Sequence, residues 1–316
     1  MTIYIDPATW PAHGTVWSHL ISDESYAELH AFAAELRLPR RGFDLDHYDV
    51  PASRYEAAIA LGAVPIAARD VVRLLQDSGL RVAQRDRDAL RPIRRREYLQ
   101  EEWERLAAPS GLAESATAKQ SWSALGEELL GRWNESHRSY HDERHLEDVL
   151  LALNHLEVRG AQIPVTTFLA AWFHDAVYAG NAGQDEQDSA ELAQRSLLGQ
   201  KLEASLAKQL AELILATTPG SNALEHFEPS LAASAEYLLD ADLSIFASSD
   251  ERYLEYSAAV RDEYAEVPES VFRKARARIL RNYLERDSIY FTPEARQLWQ
   301  SRARENLIRE IAVLEG

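Results

Sequence analysis

Phe168-Leu169-Ala170-Ala171-Trp172-Phe173 runs directly into His174-Asp175. Six apolar residues in succession read as a buried helix, so the carboxylate at its end needs a partner. An unpaired buried carboxylate costs several kcal/mol, or its pKa rises until it is neutral. A metal ion removes that difficulty, and a salt bridge to Arg is the alternative. Working outward, residues 136–149 hold His137, His141 and His145 four apart, with Asp148 three beyond. On a helix these side chains share one face, either to converge on a metal or as an ordinary solvent-facing side. Downstream, Leu238-Leu239-Asp240-Ala241-Asp242-Leu243-Ser244-Ile245-Phe246 again sets carboxylates in an apolar helical run.

The text around these stretches is helical from about 116 onward. Helices are expected over 118–136, 141–158, 165–177, 184–198, 203–217, 231–240, 251–264, 269–285 and 294–314. Pro and Gly fall mainly between them. The first part reads differently. Strands are expected at 2–5 and 63–67, and helices at 24–37 (with Asp23 as a cap), 52–61 and 68–78, ending at Gly62 and Gly79. Strands interleaved with helices suggest a small α/β domain. The fold expected is therefore an α+β two-domain chain, a small α/β N-terminal domain followed by an all-α domain. Residues 1–85 form the first, 116–316 the second, and 86–115 an Arg-rich helical linker. Residues 81–96 hold seven Arg against two Asp, which reads as a solvated linker or as a phosphate-contacting or interdomain patch.

Composition narrows the chemistry. The 316 residues are 46% hydrophobic, include no Cys and 10 His, and carry a net charge of −17. Without Cys there are no disulfides, thiolate metal sites or Cys nucleophiles, so any metal must use His, Asp or Glu. The charge argues against binding nucleic acid non-specifically or an anionic membrane. It is uneven: residues 1–112 hold 14 Arg against 17 acids, a net −3, and the remainder carries −14. There is no 18-residue apolar run and no signal-like N-terminus, so a cytoplasmic protein is expected. The excess of Arg over Lys and the abundant Ala fit a GC-rich bacterial genome.

The order His, then His-Asp, then a distant Asp, all on helices, resembles the HD superfamily of metal-dependent phosphohydrolases over roughly 120–310. The resemblance implies an HD-type domain with His145, His174, Asp175 and Asp242 as ligands. Tyr140-His141-Asp142-Glu143-Arg144-His145-Leu146-Glu147-Asp148-Val149 is similar to the signature of cyclic-nucleotide phosphodiesterases of that superfamily, with Asp142 where Asn is usual. That similarity implies His141 as general acid. Most of the remaining phosphodiesterase pattern is absent. A bacterial subgroup of predicted HD phosphohydrolases is closer. It has His174-Asp175-Ala176-Val177-Tyr178, then Asp185-Glu186-Gln187-Asp188-Ser189-Ala190, then Arg261-Asp262-Glu263-Tyr264, and an Arg-rich helix from Arg278 to Arg286.

The function implied is hydrolysis of a phosphoester of a nucleotide or related small phosphorylated metabolite. Metal-bound hydroxide would be the nucleophile and His141 the acid. The cofactor would be Mn, Mg, Fe, Co, Ni or Zn, as one ion or two. Asp148 would support a ligand His. Glu186 would ligate metal or position water, or be an ordinary first-turn carboxylate. Arg261, Tyr264, Arg278 and Arg286 are the substrate-binding candidates, or part of a surface charge network. A nucleotide-binding regulatory or sensor protein is the alternative. No membrane or nucleic-acid partner is expected, and a homo-oligomer stays open. Residues 3–78 look like a small bacterial domain of unknown function. Its cluster of Trp, His, Arg and Asp offers His13, His19, His47 and Asp49 as a second site.

Overall fold

In the computed structural model the protein is described over residues 2–12, 14–112 and 115–316. It divides into two compact units, residues 1–95 and 96–316. The division falls inside the segment expected to link them.

The first unit is α/β. Its strands are β1 (Ile3–Ile5), β2 (Trp10–Ala12), β3 (Thr15–Ser22), β4 (Tyr48–Pro51) and β5 (Val64–Pro65). Its helices α1 (Tyr26–Glu35), α2 (Ala52–Leu61) and α3 (Ala68–Asp77) lie close to their expected positions. β3 pairs antiparallel with β1, β2 and β4, and β5 runs parallel to β1. Alternation along β3 sends successive side chains to opposite faces. Leu20 packs with Leu29 of α1 and Ala58 of α2, and Ile21 with Val71 and Leu75 of α3. The sheet is therefore a middle layer. Ser25, not Asp23, caps α1 by accepting from the Glu28 N–H. Asp23 instead accepts from the Thr2 N–H and the Tyr4 hydroxyl. Gly62 ends α2 at φ 114°, a left-handed conformation that suits Gly.

The second unit is helical throughout its described residues. α4 (Arg87–Leu106) carries the chain into it. There follow α5 (Ala116–Trp133), α6 (Glu143–Val158), α7 (Val165–Phe173), α8 (Gln184–Gly199), α9 (Ala204–Leu215), α10 (Pro229–Asp242), α11 (Asp250–Glu263), α12 (Glu269–Glu285) and α13 (Pro293–Glu315). The second half of α4 belongs to this core, because Leu99 and Trp103 are fully buried there. Trp103 stacks on Trp122 at 4.1 Å, and each indole N–H donates to the other's carbonyl at 2.8 and 3.0 Å. Gly126 makes room for the stack, since a Cβ there would stand 2.3 Å from the Trp103 ring.

Two boundaries decide the site. α5 stops at Trp133 and α6 begins only at Glu143, so His137 and His141 precede the helix that carries His145. The expectation that all three share a helix face is therefore wrong. Asp142 is the reason: its carboxylate accepts from the Arg144 and His145 N–H groups at 2.8 and 3.2 Å, the geometry of an N-cap. α7 likewise stops at Phe173, which leaves His174 as its C-cap and Asp175 in the turn beyond. Among the described residues no helix is long and apolar enough to cross a membrane.

Candidate functional site

His145 from the first turn of α6, His174 and Asp175 from the end of α7, and Asp242 from the end of α10 meet at one point. The His145 Nε2 lies 3.3 Å from the His174 Nε2, 3.2 Å from Asp242 and 3.7 Å from Asp175. The His174 Nε2 lies 3.2 Å from Asp175 and 3.8 Å from Asp242. Both rings are buried, whereas the Asp175 and Asp242 side chains keep 17% and 27% exposure, so the site opens on its carboxylate side.

The rings are held differently. His174 Nδ1 donates to the Ala171 carbonyl at 2.8 Å, which leaves its Nε2 lone pair facing the cluster. Among the described residues, the buried His145 Nδ1 has no hydrogen-bond partner. That ring is fixed by packing against Tyr140 and Trp133 at 4.8 and 6.1 Å. Burial opposes charge on His174, but Asp175 and Asp242 outweigh it and raise the imidazole to about 9. Burial also works against ionising Asp175, and the surrounding histidines hold its carboxyl well below the usual range. The carboxylates thus demand positive charge, as a proton or as a cation.

His141 stands beside this cluster, its ring centroid 5.6 Å from that of His145. Its Nδ1 is 2.7 Å from Glu263, and its ring stacks on Tyr178 at 4.2 Å. Glu263 accepts from the N–H groups of Ser139, Tyr140 and His141 at 3.0, 2.8 and 2.9 Å, and from the Tyr178 hydroxyl at 2.9 Å. Burial pushes its carboxyl up, but the hydrogen bond and charge of the His141 imidazole, with the His141 and Tyr140 N–H groups, bring it down to about 2. Burial opposes charge on His141 as well. The hydrogen bond to Glu263 and the charges of Asp175, Glu263 and Asp242 raise it above its ordinary value.

Arg138 joins the two halves. Its side chain is fully buried and donates to the carbonyls of His141, Asp175 and Ala176 at 2.9, 2.7 and 3.2 Å. It ties the segment bearing the expected acid to the turn bearing the His-Asp pair. The acidic motif after that turn is a second brace. Asp185 accepts from the Ala179 and Asn181 N–H groups at 3.0 and 2.8 Å, and the Ser189 hydroxyl from Val177 at 3.0 Å.

Other expected residues go elsewhere. Glu186 accepts from the Gly183 N–H at 2.5 Å and so closes the start of α8. Asp148 pairs with Arg252 at 2.7 Å and supports no ligand His, a correction to its expected role. Arg261 is spent on the turn after α11, where it binds Glu269 at 2.8 Å and the Tyr264 and Val267 carbonyls. Tyr264 packs on Phe272. Arg278 is exposed on α12, and among the described residues no contact joins it to the cluster. Arg286 lies 4.5 Å over the Tyr283 ring. Burial and the Asp242 charge raise the Tyr283 hydroxyl, while Arg286 opposes them. Arg138 and Glu263, which hold the segment and ring of His141, are given no role by the sequence reasoning. The signal for Glu263 was available, because an imidazole expected to act as an acid needs an acceptor on its second nitrogen.

In the first unit His19, His47 and Asp49 also meet, each offering a ligand atom within 4.8 Å of the others. His13 lies outside the described residues. Burial opposes charge on His47, but Asp46 and Asp49 raise it to about 9.

Residues 3–78 match a family described as a protein of unknown function (DUF4031). No HD-type family matches the helical unit. No curated protein and no solved structure matches the chain.

Proposed function

We propose that the protein is an HD-type, metal-dependent phosphohydrolase. Its substrate would be a phosphoester of a nucleotide or related small phosphorylated metabolite. One observation carries the reading: two imidazole nitrogens and two carboxylates face each other at 3.2–3.8 Å beside a histidine whose second nitrogen is held by a carboxylate.

The donor set fits a divalent ion. Imidazole and carboxylate suit Mn, Fe, Co, Ni or Zn, and Mg less closely. His145, His174, Asp175 and Asp242 would hold it. Bound there, it would lower the pKa of a water and polarise a phosphoryl oxygen. The two carboxylates repel an anionic substrate, so phosphate binding at this site requires a cation. His141 contributes the proton. Its Nδ1 faces Glu263, so its Nε2 is left to donate to the departing oxygen. Glu263 favours the imidazolium near neutrality, as a general acid requires. Tyr178 stacks on the ring and shares Glu263, which fixes the ring's orientation. Arg286, over Tyr283, whose hydroxyl also feels the Asp242 charge, is the candidate to receive a substrate phosphate. A net acidic surface suits a small mobile phosphoester better than a nucleic-acid polymer.

The test is phosphate release from nucleoside mono-, di- and triphosphates, cyclic nucleotides and guanosine tetraphosphate, with several metals. Asp175→Ala is expected to reduce turnover to background. His141→Ala is expected to slow turnover on the order of 100-fold or more while metal content is kept. Turnover unchanged by Asp175→Ala, in a protein that binds no metal, would overturn the reading.

A further inference from the structure

We infer that the first unit holds a separate site for a divalent transition-metal ion, built from His19, His47 and Asp49. Strand register assembles it. His19 of β3 is directly opposite Asp49 of β4. His47 stands two residues before Asp49, hence on the same side of an extended chain. These side chains leave the sheet on the face opposite to Leu20, Tyr48 and Val50, which are buried against the α1 and α2 side. The two imidazoles meet edge to face at 4.9 Å, and the His47 Nε2 is 3.5 Å from Asp49.

A second layer distinguishes this from a chance meeting. His19 Nδ1 is 2.9 Å from Asp6, and His47 Nδ1 is 2.7 Å from Asp46. Both aspartates are fully buried, and each is fixed by other donors. Asp6 accepts from the His19 N–H at 2.6 Å, and Asp46 from the Val82 N–H and Arg81 at 2.8 and 2.7 Å. Each ring is therefore oriented with Nδ1 engaged and Nε2 left for a ligand. A carboxylate behind each ligating imidazole is the usual support of a metal site. Charge agrees. Asp6, Asp46 and Asp49 bring three negative charges, and Arg81 answers one of them.

Two histidines and one carboxylate make an open set suited to Zn, Mn, Fe or Co. The Asp49 side chain is 48% exposed, so the remaining position faces solvent and admits water or a small ligand. Trp10, half-exposed, packs edge to face on the His19 ring at 5.3 Å.

The experiment uses the full chain carrying His174→Ala, which removes the helical site. After equilibration with Zn and dialysis, metal is counted by mass spectrometry, and Co binding is followed by visible absorption. One equivalent is expected to remain, to be lost with His47→Ala, and to weaken about tenfold or more with Asp49→Ala. Asp49 is exposed enough for its replacement to leave the fold intact, as circular dichroism would verify. In the otherwise unaltered chain, His47→Ala alone should remove one equivalent. No bound metal in folded His174→Ala protein, or binding indifferent to both replacements, overturns the inference. Phosphate release is read separately, so failure here leaves the reading of the helical site standing.

Discussion

His145, His174 and Asp242 come from the ends of three helices, whereas His19 comes from one strand and His47 and Asp49 from the start of the strand paired with it. The donors are the same and the means of assembly differ. In the helical unit, helix ends deliver the donor side chains, and other side chains lock the intervening turns: Arg138 across 141 and 175, Asp185 and Ser189 across 177–181. In the first unit, backbone pairing sets the positions, and buried aspartates only turn the rings. The helical site should therefore be vulnerable at residues that touch neither metal nor substrate, and the strand site mainly at the ligands and the carboxylates behind them.

Arg138→Met tests that difference most severely. It leaves three carbonyls without their donor, each at about 1–3 kcal/mol. It also frees His141 to shift relative to Asp175, and misplacement of about 1 Å costs on the order of 100-fold in rate. We expect a lower melting temperature and phosphate release reduced by that order, with Zn bound by the first unit unchanged. Normal turnover would show that packing alone holds the two segments together.

The same contrast explains what could be read from the sequence. The helical unit was legible because amphipathic period and Pro/Gly punctuation mark helices locally, and the His-Asp pair announces itself by following an apolar run. The partners of His141 were less so. Glu263 reaches it from α11, and nothing in local spacing states that meeting. The four-residue histidine stripe misled because Asp142 acts as a cap, so the helix starts after His141. In the first unit β2, β3 and β4 went unread. Trp10-Pro11-Ala12 and Asp46-His47-Tyr48-Asp49 carry the residues of loops, and pairing with β3 makes β2 and β4 strands. Composition nonetheless groups His19, His47 and Asp49, without the register that brings them together.

Glu263→Gln sharpens the comparison at the next level, because it removes charge and keeps shape. Glu263 favours the imidazolium of His141, so its loss lowers the His141 pKa, and the alkaline limb of the pH–rate profile moves to lower pH. Turnover at neutrality should fall about tenfold or more. Stability gives a second reading. The carboxyl sits near 2 in the fold against 4.5 ordinarily, so its contribution is complete above about 4.5 and is lost as pH falls toward 2. The unaltered protein should lose on the order of 3 kcal/mol over that window from this group, and Glu263→Gln should lack that part of the slope. An unmoved alkaline limb would mean that His141 is not the acid.

Asp6→Asn carries the smallest effect and isolates the strand site. Asn can still accept a hydrogen bond from the His19 N–H, so register should survive. What changes is the group behind His19 Nδ1: a neutral amide no longer makes the imidazole a stronger ligand, nor does it enforce one tautomer. Zn affinity should fall about tenfold, with turnover at the helical site unchanged. If Asp6→Asn leaves Zn affinity where it was, Asp6 serves the strand pairing alone, and His19 is held for packing against Trp10. If both Zn affinity and the melting temperature collapse, the ring and the strand edge are one structural unit, and the separation between register and ring orientation does not hold in this sheet.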